Sequence, residues 1–207
     1  MEWQLPVQKL EIGNVNIGSP WGRAGGRGYQ GGHESSKAMA PLSYFGTQFR
    51  MPFVSILFPP LPIVEYVPAT GKLTLDMSET SLASIKMSIL QETLINAVLY
   101  HQHGWFKTEY SKDEIRNGFQ PLFQENHLHF HCPIGSAASG GPSGRTVPIY
   151  RDGAWSPALA PGDLKAGMRI RIAVKIHGIS FLMHETWTGR CRLQHRIQGI
   201  LVQAPAS

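Results

Sequence analysis

The sequence predicts an α+β fold, mainly antiparallel strands with one long helix. Three observations lead there. Gly (22) and Pro (15) together approach a fifth of the 207 residues, a composition that disfavours an all-helical bundle and supplies many turns. Short β-branched or aromatic runs recur between these breakers. One long segment switches to a helical period of apolar residues. With 42% hydrophobic and 16% charged residues, the chain can bury a sizeable core, and its surface relies on uncharged polar groups. The length fits one domain with an appended arm.

Residues 1–45 read as a flexible arm. Leu5, Val7, Leu10, Ile12, Val15 and Ile17 offer one short strand or a clip on the domain surface. The Gly-rich tract 22–32 holds Arg23, Arg27 and Tyr29, with little to bury and maximal backbone entropy to lose. It resembles RGG-type segments that bind single strands, and a plain linker is its other reading. Gly26, Gly28 and Gly31 make a formal G-x-G-x-x-G. Neither the apolar strand before it nor the helix after it is present, so no dinucleotide site is read there.

A single domain over 46–203 follows, with 204–207 as a tail. Phe49 to Phe58, Ile63 to Val67 and Lys72 to Asp76 read as strands between turns. From Ser78 onward, Ala83, Met87, Leu90, Leu94, Ala97 and Val98 fall on one helical face. Ser78 serves as N-cap and Gly104 as the stop, while Leu82, Ile85 and Ile89 are expected to thicken the buried face, an exposed stripe for a partner being the other reading of the helix. Ser111 and Glu114 have capping-box spacing for a short second helix that Gly118 ends. His127 to Cys132 alternates as a strand, Val147 to Trp155 runs from strand into turn, and Gly135 to Gly144 is read as a mobile loop.

Several classes are set aside. The longest markedly apolar uncharged run, Met51 to Val64, has 14 residues and four prolines, against about 20 for a membrane span. The first residues lack a basic and then apolar leader. Cys132 and Cys191 are read as unpaired thiols of a reducing compartment, a bridge between them being the alternative. No G-x-S-x-G, P-loop or kinase pattern occurs, and the carboxylates show no paired spacing, so no enzyme is expected. His127, His129 and His131 share one strand face next to Cys132, a minor alternative metal site, and with it a metal-dependent enzyme; His101 and His103 would add ligands only if the fold brought them near. The reading adopted assigns no metal and no other cofactor.

Charge patterning carries the functional argument. Between Lys165 and Arg196 seven basic residues face Glu185 alone, a local excess larger than the net +5 of the whole chain. Met168 to Ile176 alternates without a break, with Arg169, Arg171 and Lys175 on the polar side. Arg190, Arg192 and Arg196 repeat the pattern after a turn at 184–189. Consecutive strands with a short connection pair antiparallel, so both basic rows should share one sheet face. Like charges across a ladder destabilise it, and an anionic partner relieves them. Phe181, Trp187 and Trp105 are the candidate base-stacking rings, core packing or a dimer contact being the other readings for Phe181 and Trp187. Phe181 reaches the basic face only if Gly178 introduces no bulge.

The run Trp187-Thr188-Gly189-Arg190-Cys191-Arg192-Leu193-Gln194-His195-Arg196-Ile197, with Lys165-Ala166-Gly167-Met168-Arg169-Ile170-Arg171 before it, resembles the OB-fold single-stranded DNA-binding proteins of large double-stranded DNA viruses. Leu90-Gln91-Glu92 and Trp105-Phe106 are compatible with it, and the resemblance covers residues 50–203. It implies a partly open OB-like barrel and a non-enzymatic protein that coats exposed strands in replication or repair, in a host nucleus or a cytoplasmic viral factory. The Gly-Arg arm, the 135–144 insertion and the long helix depart from that pattern. The expectation is therefore sequence-tolerant binding of single-stranded DNA, with RNA as the other strand type, self-association as a further partner and no membrane contact. Arg169, Arg171, Lys175, Arg190, Arg192 and Arg196 would meet phosphate. The alternative is a virion structural or assembly protein whose basic face meets an acidic protein.

Overall fold

Two long consecutive strands organise the molecule. In a computed structural model, residues 4–21, 37–47, 49–132, 147–151 and 159–203 are described. In chain order the strands are β1 (Leu5–Pro6), β2 (Val15–Ile17), β3 (Lys37–Phe45), β4 (Arg50–Met51), β5 (Val54–Leu57), β6 (Leu61–Val67) and β7 (Lys72–Asp76). Helices α1 (Ser81–Phe106) and α2 (Lys112–Gly118) follow, then β8 (Phe119–Gln120), β9 (Phe123–Gln124), β10 (His127–His131), β11 (Ile149–Arg151), β12 (Arg169–Met183) and β13 (Trp187–Val202).

The strand whose alternation begins at Met168 continues to Met183, and β12 and β13 pair antiparallel from Ile170–Val202 to Met183–Trp187. At about 3.4 Å per residue this ribbon is roughly 50 Å long. It is interrupted by three register shifts, at Ala173/Val174, Ile176/Gly178 and Phe181/Met183; such bulges sharpen the twist. The other edge of β12 is divided among β3, β5 and β6 in succession. The outer edge of β13 receives β11 and β8 in parallel. From β6 the sheet continues antiparallel through β7 and β10 to β9. The fold is α+β, mostly antiparallel, and its sheet is not closed. At Gly178 an added Cβ would lie 2.2 Å from the Ala40 carbonyl oxygen, so only glycine allows β3 to approach β12 this closely.

The boundary expected at residue 45 is corrected. Val7 and Leu10 are fully buried, β1 pairs with β5, and β2 pairs with β3. The Lys86 ammonium donates to the Leu10 carbonyl, and β3 itself is an integral strand of the sheet. The segments 4–21 and 37–45 therefore belong to the folded unit. The Gly-Arg tract and the 135–144 segment lie outside the described residues, as do Asp152 to Trp155 and the 204–207 tail.

Helix α1 buries Ala83, Met87, Leu90, Leu94, Ile95, Val98, Gln102 and Phe106, the expected stripe with Ile95 in place of the half-buried Ala97 and extended by about two turns. Its N-cap is Thr80, because Ser78 bonds the Asp76 carboxylate instead. It runs past Gly104 to Lys107, which closes it in the left-handed conformation at φ 59°. Leu82, Ile85 and Ile89 are about half exposed; they lie opposite the core stripe and do not thicken it. The helix is long and apolar enough by composition to cross a membrane, a property hidden from a search for uncharged runs by Lys86 and Glu92. Here its buried stripe is part of the core. Helix α2 opens on the capping box of Ser111 and Glu114 and ends at Gly118, as expected.

Candidate nucleic-acid interface

Register decides which cations share a surface. Residues directly opposite across an antiparallel ladder project from the same face. Lys175 is opposite Arg196 and Ser180 is opposite Arg192. Arg169 and Arg171 alternate with Lys175 on β12, and Arg190, Arg192, Gln194 and Arg196 alternate on β13. The six expected cations thus lie on one side of the ribbon. Two are engaged within the protein. Both terminal nitrogens of Arg169 donate to Glu79 at 3.0 Å, and Nη2 also reaches the Pro60 carbonyl. The Lys175 ammonium sits 3.4 Å from the centre of the Phe53 ring. Arg171, Arg190, Arg192 and Arg196 are exposed and make no ion pair with a carboxylate among the described residues.

Two clefts adjoin at the β8 edge of this ribbon and share Arg192 and Gln120, which the parallel β8–β13 pairing sets beside each other. The first, about 430 Å³, is lined by Lys37, Asn117, Ser180 and Arg190 among others. The second, about 730 Å³, is lined by Lys72, Gln124, His129, His131, Gln194 and His195 among others. Neither lining contains an aspartate or glutamate. Helix α2 delivers Asn117 by packing its end on β13, where a Cβ on Gly118 would lie 2.1 Å from the Gly189 carbonyl oxygen. Gln194 donates to Ser180 at 2.6 Å, tying β13 to β12 between the clefts. The outcome is a recessed cationic surface supplied with amide donors, suited to phosphate oxygens and base edges.

The expected stacking rings offer no open face there, although Phe181 lies behind the wall of the smaller cleft. Phe181 and Trp187 are at most 1% exposed, in an aromatic cluster with Phe106 and Tyr110. The Trp187 indole N–H donates to the Arg190 carbonyl at 2.9 Å, and the Tyr110 hydroxyl donates to the Trp187 carbonyl. The physical reason is the bulge at Ile176/Gly178: it shifts the alternation so that Ile179 and Phe181 turn inward. Trp105, partly buried on α1, packs against Phe181 and stacks on His101 at 4.8 Å, on the core side of β12.

The histidine strand is likewise not arranged as a metal centre. Cys132 is fully buried and burial pushes its thiol up to about 11; Cys191 is pushed up to about 12 for the same reason, and both thiols are free. His101 stacks on Trp105, and His103 faces Glu109 at 3.6 Å. No three His, Cys, Asp or Glu side chains are placed to share a metal among the described residues. Instead His129 and His131, together with His195, line the larger cleft. His195 Nε2 accepts from the His131 backbone N–H at 3.3 Å. Burial pushes His195 down to about 4, with His131, Arg192 and His177 acting in the same direction against a backbone hydrogen bond at Leu193. Burial also lowers His129, aided by His127 and Lys72.

Sequence reasoning passed over Lys37, Asn117, Gln120 and Gln194. For Lys37 a signal existed: Lys37, Met39 and Pro41 alternate with buried Ala38, Ala40 and Leu42, a period-two pattern inside the region read as an arm. Compared with protein-family models and with curated proteins, the chain matches none.

Proposed function

We propose that this protein binds single-stranded nucleic acid, DNA foremost, without sequence preference, and protects exposed strands in replication or repair. The observation that carries the reading is the pair of clefts sharing Arg192, whose linings hold no carboxylate although Glu65 pairs with Lys72 at the larger one, flanked by arginines that lack an internal counter-charge among the described residues. A protein surface of that kind gains affinity by releasing counterions from a phosphodiester chain. Asn117, Gln120, Gln124 and Gln194 favour a single strand over a duplex, because they can bond base edges that pairing would occupy. We read the open antiparallel sheet with its long bulged ribbon as OB-like, and binding across a sheet face is the mode such barrels use.

The test is equilibrium binding of matched single-stranded DNA, RNA and duplex oligonucleotides over a range of salt. A steep log–log dependence with single strands, and weaker duplex binding, is expected. The double variant Arg190→Glu/Arg192→Glu should lose at least tenfold in affinity, and the salt slope should fall by about 2. Both side chains are exposed, so the fold should survive. Unchanged affinity in that variant would refute the assignment, and preferential duplex binding would refute the single-strand specificity.

A further inference from the structure

We propose that Trp21 is the base-stacking platform of this interface, fixed at the rim of the sheet so that a bound strand crosses from Trp21 toward Arg192. The inference rests on the binding reading above and supplies the aromatic partner that Phe181, Trp187 and Trp105 cannot. Of the three described tryptophans, Trp187 is buried, Trp105 is partly covered by Phe181, and Trp21 is 63% exposed. An indole left in water forgoes a large apolar burial.

Its position is nevertheless held. Trp21 and Met39 exchange backbone N–H to C=O hydrogen bonds of 3.0 Å in both directions. From there the register runs across the sheet. Met39 is opposite Ser180, Ser180 is opposite Arg192, and Arg192 is beside Gln120. Opposed residues share a face, so Trp21 projects on the side that carries Arg192. Three strand spacings separate them, roughly 14 Å. Lys37, two residues from Met39 and therefore on the same face, lines the smaller cleft with Arg190 and Arg192. Met39 and Ser180, which lie between, carry no charge that would repel a phosphate. Phe45, at the other end of β3, has Arg50 over its ring.

This row places one exposed π-face and a group of cations along a single path, the combination that sequence-tolerant strand binding uses. Closing the β3 edge at this point requires only the backbone of residue 21. The indole is an addition that edge protection alone does not call for.

The experiment compares wild type, Trp21→Ala and Trp21→Phe in the full chain, each titrated with an oligothymidylate and with an abasic strand of equal length. Wild type should prefer the base-bearing strand. Trp21→Ala should lose about tenfold on it and nothing on the abasic strand, with the salt slope unchanged; Trp21→Phe should recover part of the loss. Equal affinity of wild type for both strands, or an equal loss by Trp21→Ala on both, would overturn the stacking role, as would no loss at all. If Arg190→Glu/Arg192→Glu still loses binding in that case, the basic interface stands and Trp21 alone is wrong. If the arginine variant binds normally, the interface itself is wrong.

Discussion

Lys175 and Arg196 stand directly opposite each other on the β12–β13 ladder, two cations on one face of one ribbon. Lys175 turns onto the Phe53 ring, while Arg196 stays exposed. Like charges in this position destabilise a sheet by a few tenths of a kcal/mol to about 1 kcal/mol. Arg196→Glu should therefore stabilise the unliganded protein by about 0.5 kcal/mol, raising its thermal midpoint by about 1–2 °C. The same change should weaken oligonucleotide binding. Calorimetry beside a binding titration checks the two together, and a lowered midpoint would show that Arg196 has a structural task.

Trp187 and Phe181 should behave as core residues. Truncating either to alanine is expected to cost about 3–5 kcal/mol in denaturant unfolding. Trp187→Phe, which removes the hydrogen bond to the Arg190 carbonyl and some volume, should cost less and leave single-strand affinity within about twofold of wild type, since the ring never reaches the basic face. A large affinity loss in a folded Trp187→Phe protein would contradict that placement.

Gly178→Ala should separate β3 from β12. The added methyl would meet the Ala40 carbonyl oxygen at 2.2 Å, well inside contact, and backbone cannot give way cheaply. We expect a loss of at least 1–3 kcal/mol and faster amide exchange in β3 than in the β12–β13 ribbon.

Stability should also fall in mild acid through His195. The folded imidazole titrates near 4, while the unfolded one returns to its ordinary value of 6.5. Between those values the unfolded chain holds the additional proton, so stability declines as pH drops from about 6.5 to about 4 and is level outside that window for this group. The difference amounts to about 3 kcal/mol. His195→Gln should flatten that part of the profile, measured by denaturant midpoints at successive pH values.

The ribbon was legible because its period-two alternation is local: Ile170, Ile172, Val174 and Ile176 turn inward and the arginines outward. The same reading breaks at His177, where one additional residue reverses the phase, and no local pattern shows that β3 demands Gly178 for its approach. Helix α1 is apolar on nearly all sides, so periodicity could not tell Leu82, Ile85 and Ile89 from the stripe that packs. Lys37 and Trp21 were hidden for another reason. Lys37 pairs with Leu182 of β12, and Trp21 bridges Met39 of β3 across a Gly-rich tract whose composition suggests a tether, and such long-range pairing leaves no mark in the flanking sequence.

The shared edge of β12 has a consequence for biosynthesis. β3 and β5 leave the ribosome well over a hundred residues before the strand that completes their hydrogen bonding. Until β12 emerges, each presents an unsatisfied border able to recruit neighbouring nascent chains. Maturation of this protein should accordingly be slow and topology-limited, and overproduction should favour deposits unless chaperones shelter the waiting strands.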